Sequence, residues 1–425
     1  MKFFHKIPII FILCLLCLLL FSCTSAASLE RERQKISNPT DYLESHGIEQ
    51  YASSVPVVYN NGVEWYARAF ELVEQAQDYI LINTFLSNLL DLSEPLWDLL
   101  AKKIIQGVRV YCLFDSSSYF QLYTDRNEVI PAAFNHLREL GIPVTEYNPF
   151  SLSNSFFLPM LLDRDHRKFW IIDGKQLAVG GININHASLG LPPESGHIDS
   201  MVEVVSPKAI EVLIGSFIDT WNRYNPDTLD PLDFYIEDTQ VPLDVSLWLV
   251  DHHWPARSQA TTMFDAFTLG AQKELWMVQG FAFMTGALTE RIANAVDRGV
   301  EVHILLSDNA GKPNYEKAAK YGILDLIDAG ATVYMYSNPT TAFLHLKLMI
   351  ADGYLTAYGS TNYNLRSQTL SREISIIFDD EQIASAAKAH VDELLKYCRI
   401  VTREEAVSYR NFVNYCYYLL MQVWG

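Results

Sequence analysis

The sequence predicts an α/β protein built from two pseudo-symmetric α/β/α halves that share one active site. Three observations carry this. Helical stretches hand over to strands at a glycine four times, at Gly107, Gly141, Gly299 and Gly330, and glycine just past a helix end is the expected cap. A polar frame occurs twice, with equivalents at 166 and 345, 173 and 352, and 183 and 362, each pair 179 residues apart. Between the copies lies 225–244, carrying Pro226, Pro231 and Pro242 among six acidic residues, which suits a surface linker. Each half reads strand, helix, glycine, strand, helix, glycine, strand, then a polar hairpin, another strand and a helix. Such alternation predicts a largely parallel sheet flanked by helices.

The chain has 425 residues, 49% hydrophobic, enough for more than one small domain. From the N-terminus the expected segments are a signal peptide (1–22), a polar tether (23–54), the first half (55–224), the linker (225–244), the second half (245–400) and an aromatic tail (401–425). The leader has a basic start, Lys2 and Lys6, followed by an apolar run from Ile7 to Phe21. That run is short for a membrane span. It ends Leu20-Phe21-Ser22-Cys23, which resembles a bacterial lipobox, with Cys23 as the site of lipid attachment. The alternatives are cleavage near Ala26 or Ala27, or an uncleaved anchor. All three place the catalytic part outside the cytoplasm. The expected address is the bacterial cell envelope, with the membrane as partner through an N-terminal lipid anchor.

Net charge is −18, and no Lys/Arg cluster suggests a grip on a phosphate backbone, so nucleic acid is not the favoured partner. Cys112 falls in an apolar strand and reads as a buried thiol. Cys398 and Cys416 are candidates for a disulfide whose geometry sequence cannot show. No Cys or His spacing suggests zinc, and His252-His253 reads as a loop pair.

The duplicated frame carries the chemistry. The first copy is His166-x-Lys168-x4-Asp173-x6-Gly180-Gly181-x-Asn183, and the second is His345-x-Lys347-x4-Asp352-x6-Gly359-Ser360-x-Asn362. Alternation puts His and Lys on one face of a strand. Asp173-Gly174 and Asp352-Gly353 read as tight turns to a returning strand, so the motif aspartates are expected to act mainly on structure. Gly180-Gly181 and Gly359-Ser360 suggest close backbone approach to a ligand. Lys168, Lys347, Asn183 and Asn362 form a candidate phosphate site. Two imidazoles suit a two-step phosphoryl transfer, one as nucleophile and one as acid and base. Each imidazole needs a carboxylate to hold its tautomer. The candidates are Asp199, 33 residues after His166, and Glu373, 28 after His345.

Both copies match the motif of the phospholipase D superfamily, counting His166, Lys168, Asp173, His345, Lys347 and Asp352 as its catalytic signature. Over roughly 60–396 the chain resembles the bacterial cardiolipin synthases, most closely at Gly359-Ser360-Thr361-Asn362-Tyr363-Asn364-Leu365-Arg366-Ser367 with Glu373 beyond. That family usually has Asp where Asn364 stands. The resemblance implies a phospholipid substrate, transfer of a phosphatidyl group through a phosphohistidine, and no metal or organic cofactor. By analogy His166 is the nucleophile. Hydrolysis of phospholipid by the same chemistry, and phosphodiester or endonuclease cleavage of nucleic acid or another soluble phosphodiester, are the alternatives. Two departures stand out: the lipoprotein-like leader in place of membrane spans, and an apolar loop at 150–162 where relatives are often basic. That loop and the tail at 409–424 are read either as packed on the core or as surfaces turned toward lipid.

Overall fold

The computed structural model describes residues 26–87, 92–120, 132–149, 162–190, 196–236, 238–253, 258–280, 282–308, 313–338 and 343–424. The leader with Cys23 and most of the apolar loop, 150–161, lie outside the described residues.

Strand β1 (Gln50–Ser53) is followed by seven strands of the first half. These are β2 (Val57–Asn61), β3 (Tyr79–Thr84), β4 (Arg109–Asp115), β5 (Val144–Tyr147), β6 (Phe169–Ile172), β7 (Gln176–Gly180) and β8 (Ile198–Val204). The second half adds β9 (Val245–His252), β10 (Glu274–Gln279), β11 (Glu301–Ser307), β12 (Thr332–Tyr336), β13 (Lys347–Ala351), β14 (Leu355–Gly359), β15 (Glu373–Asp379) and β16 (Cys398–Ile400). The first sheet runs β2-β8-β7-β6-β3-β4-β5. The second repeats that order as β9-β15-β14-β13-β10-β11-β12, with β1 and β16 added at its edges.

The sheets are mixed rather than largely parallel. Only β3-β4-β5 and β10-β11-β12 pair in parallel. The cause is the duplicated hairpin: β6–β7 and β13–β14 are joined by tight turns and must run antiparallel. Asp173 and Asp352 have φ of 52° and 54°, and Gly174 and Gly353 follow at 62° and 74°, the left-handed pair that such a turn requires. The four helix-end glycines all have positive φ.

The inner faces of both sheets pack into one core with helices Pro207–Tyr224 and Glu381–Leu395. Phe169, Phe217, Trp221, Leu348 and Val391 belong to it. Separate clusters fill the outer face of each sheet beneath its own helices. The linker is anchored to the first half by Phe234, which packs edge-on against Tyr79 at 5.1 Å.

Residues 26–53 depart from the expected tether. They form helices Ala26–Arg33 and Pro39–Ser45, and β1 pairs antiparallel with β9. Leu29, Ile36, Tyr42, Leu43 and Ile48 are buried in the second half's outer core. The charge run Glu30 to Lys35 hid this stripe, because its charges pair locally with one another (Arg33–Glu30, Lys35–Glu32) and leave the apolar positions free to pack. The tail forms helix Phe412–Trp424, docked on helix Pro313–Asp328. Cys398 and Cys416 are free thiols. His252 ends β9, buried and opposite Glu373 in register, not in a loop. No helix of the described residues is long and apolar enough to cross a membrane.

Candidate active site

The two hairpins lie centrally in their sheets, and the parts of the sequence that precede β6 and β13 meet between the halves. His166 N–H donates to Arg372 O (2.9 Å), and His345 N–H donates to Ile198 O (2.8 Å). Each motif histidine is thereby stitched to the residue that precedes the other half's acid. Short parallel bridges at Asp165–Arg372 and Leu344–Ile198 extend the exchange.

The acids cross over with it. His166 Nδ1 donates to Glu373 Oε2 at 2.8 Å, and His345 Nδ1 lies 2.6 Å from Asp199 Oδ2. The two acids expected from sequence are both here, but each serves the histidine of the opposite half. The 33- and 28-residue spacings therefore measure the run to the interface, not a contact within one half.

The environments differ. Ser360 Oγ also donates to Glu373 Oε2, at 2.5 Å, and accepts from Ile374 N–H. At the equivalent position Gly181 leaves room for a carboxylate: a Cβ there would stand 2.2 Å from Asp199 Oδ1. That glycine admits a neighbouring strand's side chain, not the ligand expected from sequence. Asp199 receives the Ser200 N–H instead.

Lys168 and Lys347 are buried, and each Nζ donates to the carbonyl of its own motif histidine. Burial lowers Lys168 to about 7, against Glu373, which favours its charge; Lys347 opposes it further. Burial likewise lowers Lys347 to about 8, against Asp199 and Glu373. Burial holds His166 down at about 4, opposed by Glu373 and reinforced by Lys168 and Lys347. His166 is therefore neutral at pH 7, with Nδ1–H on Glu373 and the Nε2 lone pair available. Burial works against ionisation of Glu373, yet His166 and Lys168 together hold it below its ordinary value. Burial pushes Asp199 up, with Lys347 opposing. Lys347 acts on His166, and Asp199 on Lys168, so His166, the two lysines and the two acids share one field.

Asn183 Oδ1 accepts from Leu86 N–H at 3.1 Å, which leaves its amide NH2 to donate. Asn362 Oδ1 is buried without a partner among the described residues. Asn364 caps helix Leu365–Thr369 through Ser367 N–H, as Asn185 caps His186–Leu189. An asparagine thus fulfils the capping role at position 364.

Asp173 and Asp352 stand apart from these groups. Their carboxylates accept the backbone N–H groups of Gln77, Asp78 and Tyr79, and of Gln272, Lys273 and Glu274. They lie at the far end of β6 and β13 from the histidines and fasten the hairpins to β3 and β10.

Sequence reasoning missed several neighbours. Phe85 packs edge-on against His166 at 4.7 Å, with Lys168 Nζ 5.0 Å from its ring centre. His197 and Phe343 flank His345 at 5.2 and 5.6 Å. Arg167 is fully buried, paired with Asp165 at 2.8 Å and Asp251 at 3.0 Å. Its motif equivalent is Leu346, so this network exists on one side only. The Asp165-x-Arg167 spacing was the available signal for it; none marks Phe85.

The comparisons agree with this architecture. A family model described as "Cardiolipin synthase, PLD-like domain" matches residues 70–221 and 269–395. The chain is 25% identical to the probable cardiolipin synthase YwiE of Bacillus subtilis, over 79% of this chain and 65% of that protein. It therefore spans just under two thirds of that relative. Cardiolipin synthase A of Pseudomonas syringae is 26% identical, over 83% and 70% of the two chains. The fold is similar to phosphatidylserine synthase of Haemophilus influenzae, with a TM-score of 0.69 and 11% identity over 91% and 97% of the chains. With two motif hairpins in one doubled fold, and a family model matching both halves, the chain belongs to the cardiolipin synthase, PLD-like domain family.

Proposed function

We propose that this protein transfers a phosphatidyl group between glycerophospholipids through a phosphohistidine on His166. The observation that carries this reading is the crossed pairing, which gives each imidazole its own buried acid beside two buried lysines. In the first step His166 Nε2 bonds to phosphorus and the P–O bond to the head-group alcohol breaks. His345, oriented by its contact with Asp199, gives that oxygen its proton. In the second step a lipid hydroxyl bonds to phosphorus, its proton returns to His345, and the P–N bond breaks. Lys168, Lys347, Asn183 and Asn362 donate to the non-bridging oxygens as charge builds. Purified protein and phosphatidylglycerol vesicles test the reading by product mass. Diphosphatidylglycerol with free glycerol is expected. Phosphatidic acid alone would make the enzyme a hydrolase, and no lipid product would overturn the substrate class.

The proposed address is the cell envelope, through acylation of Cys23. Ala26 stands three residues after Cys23 in sequence, a reach of at most about 10 Å, and helix Ala26–Arg33 packs on the second half through Leu29. Such an anchor would hold the catalytic body against the bilayer. Fatty-acid labelling that persists in Cys23→Ala would contradict this.

A further inference from the structure

Helix Phe412–Trp424 is apolar on both sides. Met421, with Leu420 and Tyr417 against it, packs inward, and two polar side chains reach the protein as well. Gln422 Nε2 donates to Met284 O at 3.1 Å, and the Tyr418 hydroxyl donates to the same carbonyl. The Tyr418 ring lies 4.9 Å from Tyr321, and Met421 is buried beside Phe283. The helical period puts Phe412, Cys416 and Leu419 on the opposite side, with Val413 at its margin. Phe412 is 79% exposed and Val413 53%, Cys416 is exposed and Leu419 half-buried. An outward face of this kind normally carries charge.

We propose that this face docks on the lipid bilayer and seats the active site on the membrane surface. The proposal rests on the reading that the substrate is a phospholipid. Position supports it: the helix touches helix Leu365–Thr369, which begins three residues beyond Asn362. Phe283, in the cluster that holds Met421, bridges to Asn364. The helix thus flanks the loop that carries a phosphate-binding asparagine.

Size argues against a second copy of the chain. Thirteen residues make a helix about 20 Å long and roughly 10 Å across. One face of it offers a few hundred Å², well short of the roughly 800 Å² per partner of a stable protein interface. Charge argues for a hydrophobic contact. Arg403 is paired with Asp328, Arg410 with Asp325 and Arg399 with Glu405, and the chain carries −18 overall. Attraction to anionic head groups therefore has little basis here, so binding should extend to neutral lipid and resist salt.

The test is carbene footprinting of the full-length protein with and without neutral phosphatidylcholine vesicles, at low and high salt. Peptides covering 412–420 should be protected several-fold by vesicles at both salt concentrations. Unchanged labelling there would overturn the proposal. So would protection without vesicles that grows with protein concentration, the signature of a second copy. In a second arm, Phe412→Glu with Val413→Glu should lower turnover of long-chain phosphatidylglycerol in vesicles about tenfold and leave turnover of monomeric short-chain phosphatidylglycerol unchanged. Equal loss on both would overturn the docking role. The footprint needs no turnover, so inactivity of the unmodified protein on both lipids would sink the substrate assignment while the docking result still stood.

Discussion

His166 donates a 2.8 Å hydrogen bond to Glu373, 207 residues away and in the opposite half of the fold. With the reciprocal contact between His345 and Asp199, each motif histidine takes its acid from the other half. The doubled architecture is thus a requirement of the site.

The crossing predicts which step each acid supports. On an activated substrate with a good leaving group, protonation by His345 matters little in the first step. Glu373→Gln should then slow formation of the phosphohistidine by roughly 10²–10⁴-fold. Asp199→Asn should form it at a near-normal rate and resolve it slowly. Rapid-quench measurement of the burst and steady phases checks this, and the reverse pattern would mean pairing within each half.

The lysines predict an early alkaline limb. Lys168 and Lys347 are lowered to about 7 and 8, so their charged forms are lost as pH rises through that window. kcat/KM, which reports the free enzyme, should fall above pH 7 instead of near the ordinary lysine value. His166, lowered to about 4, stays neutral well below pH 6 and imposes no limb there. In Lys168→Arg the maximum should drop about tenfold or more, because the planar fork fits differently. Its alkaline limb should move upward, to that of Lys347 alone. An unmoved limb would assign the titration elsewhere.

Asp352→Ala should act on stability. It removes an acceptor for three backbone N–H groups and puts alanine at φ near 54°, for a cost of about 2–4 kcal/mol. Denaturant melts should show the loss, while kcat of the folded fraction stays within about twofold. A large fall in kcat with unchanged stability would return Asp352 to the chemistry.

Charge stabilisation by lysine and asparagine predicts that turnover survives chelators. The metal-capable cluster among the described residues, Glu274, Glu301 and His303, starts at the opposite end of β10 from Gln279, near the Asp352 turn. Loss of activity in EDTA, restored by one divalent ion, would show that the site as drawn is incomplete.

Much of this was legible in the chain. The four glycines marked helix ends because only a left-handed residue closes those caps, and the 179-residue offset marked two equivalent hairpins. What was not legible is informative. Sequence separation could not tell that Asp199 and Glu373 exchange partners, because that contact exists only once the halves meet. Leu29, Ile36 and Leu43 were masked by the charged residues between them, although they pack into the second half. Ser360 was visible as a motif position, but its hold on Glu373 depends on β14 and β15 lying side by side.

The most direct test is to trap the covalent intermediate with substrate labelled at phosphorus and locate the modified residue by mass spectrometry under alkaline handling. Label on His166, absent in His166→Ala, is the predicted result. Label on His345, or turnover with no labelled histidine, would contradict the account.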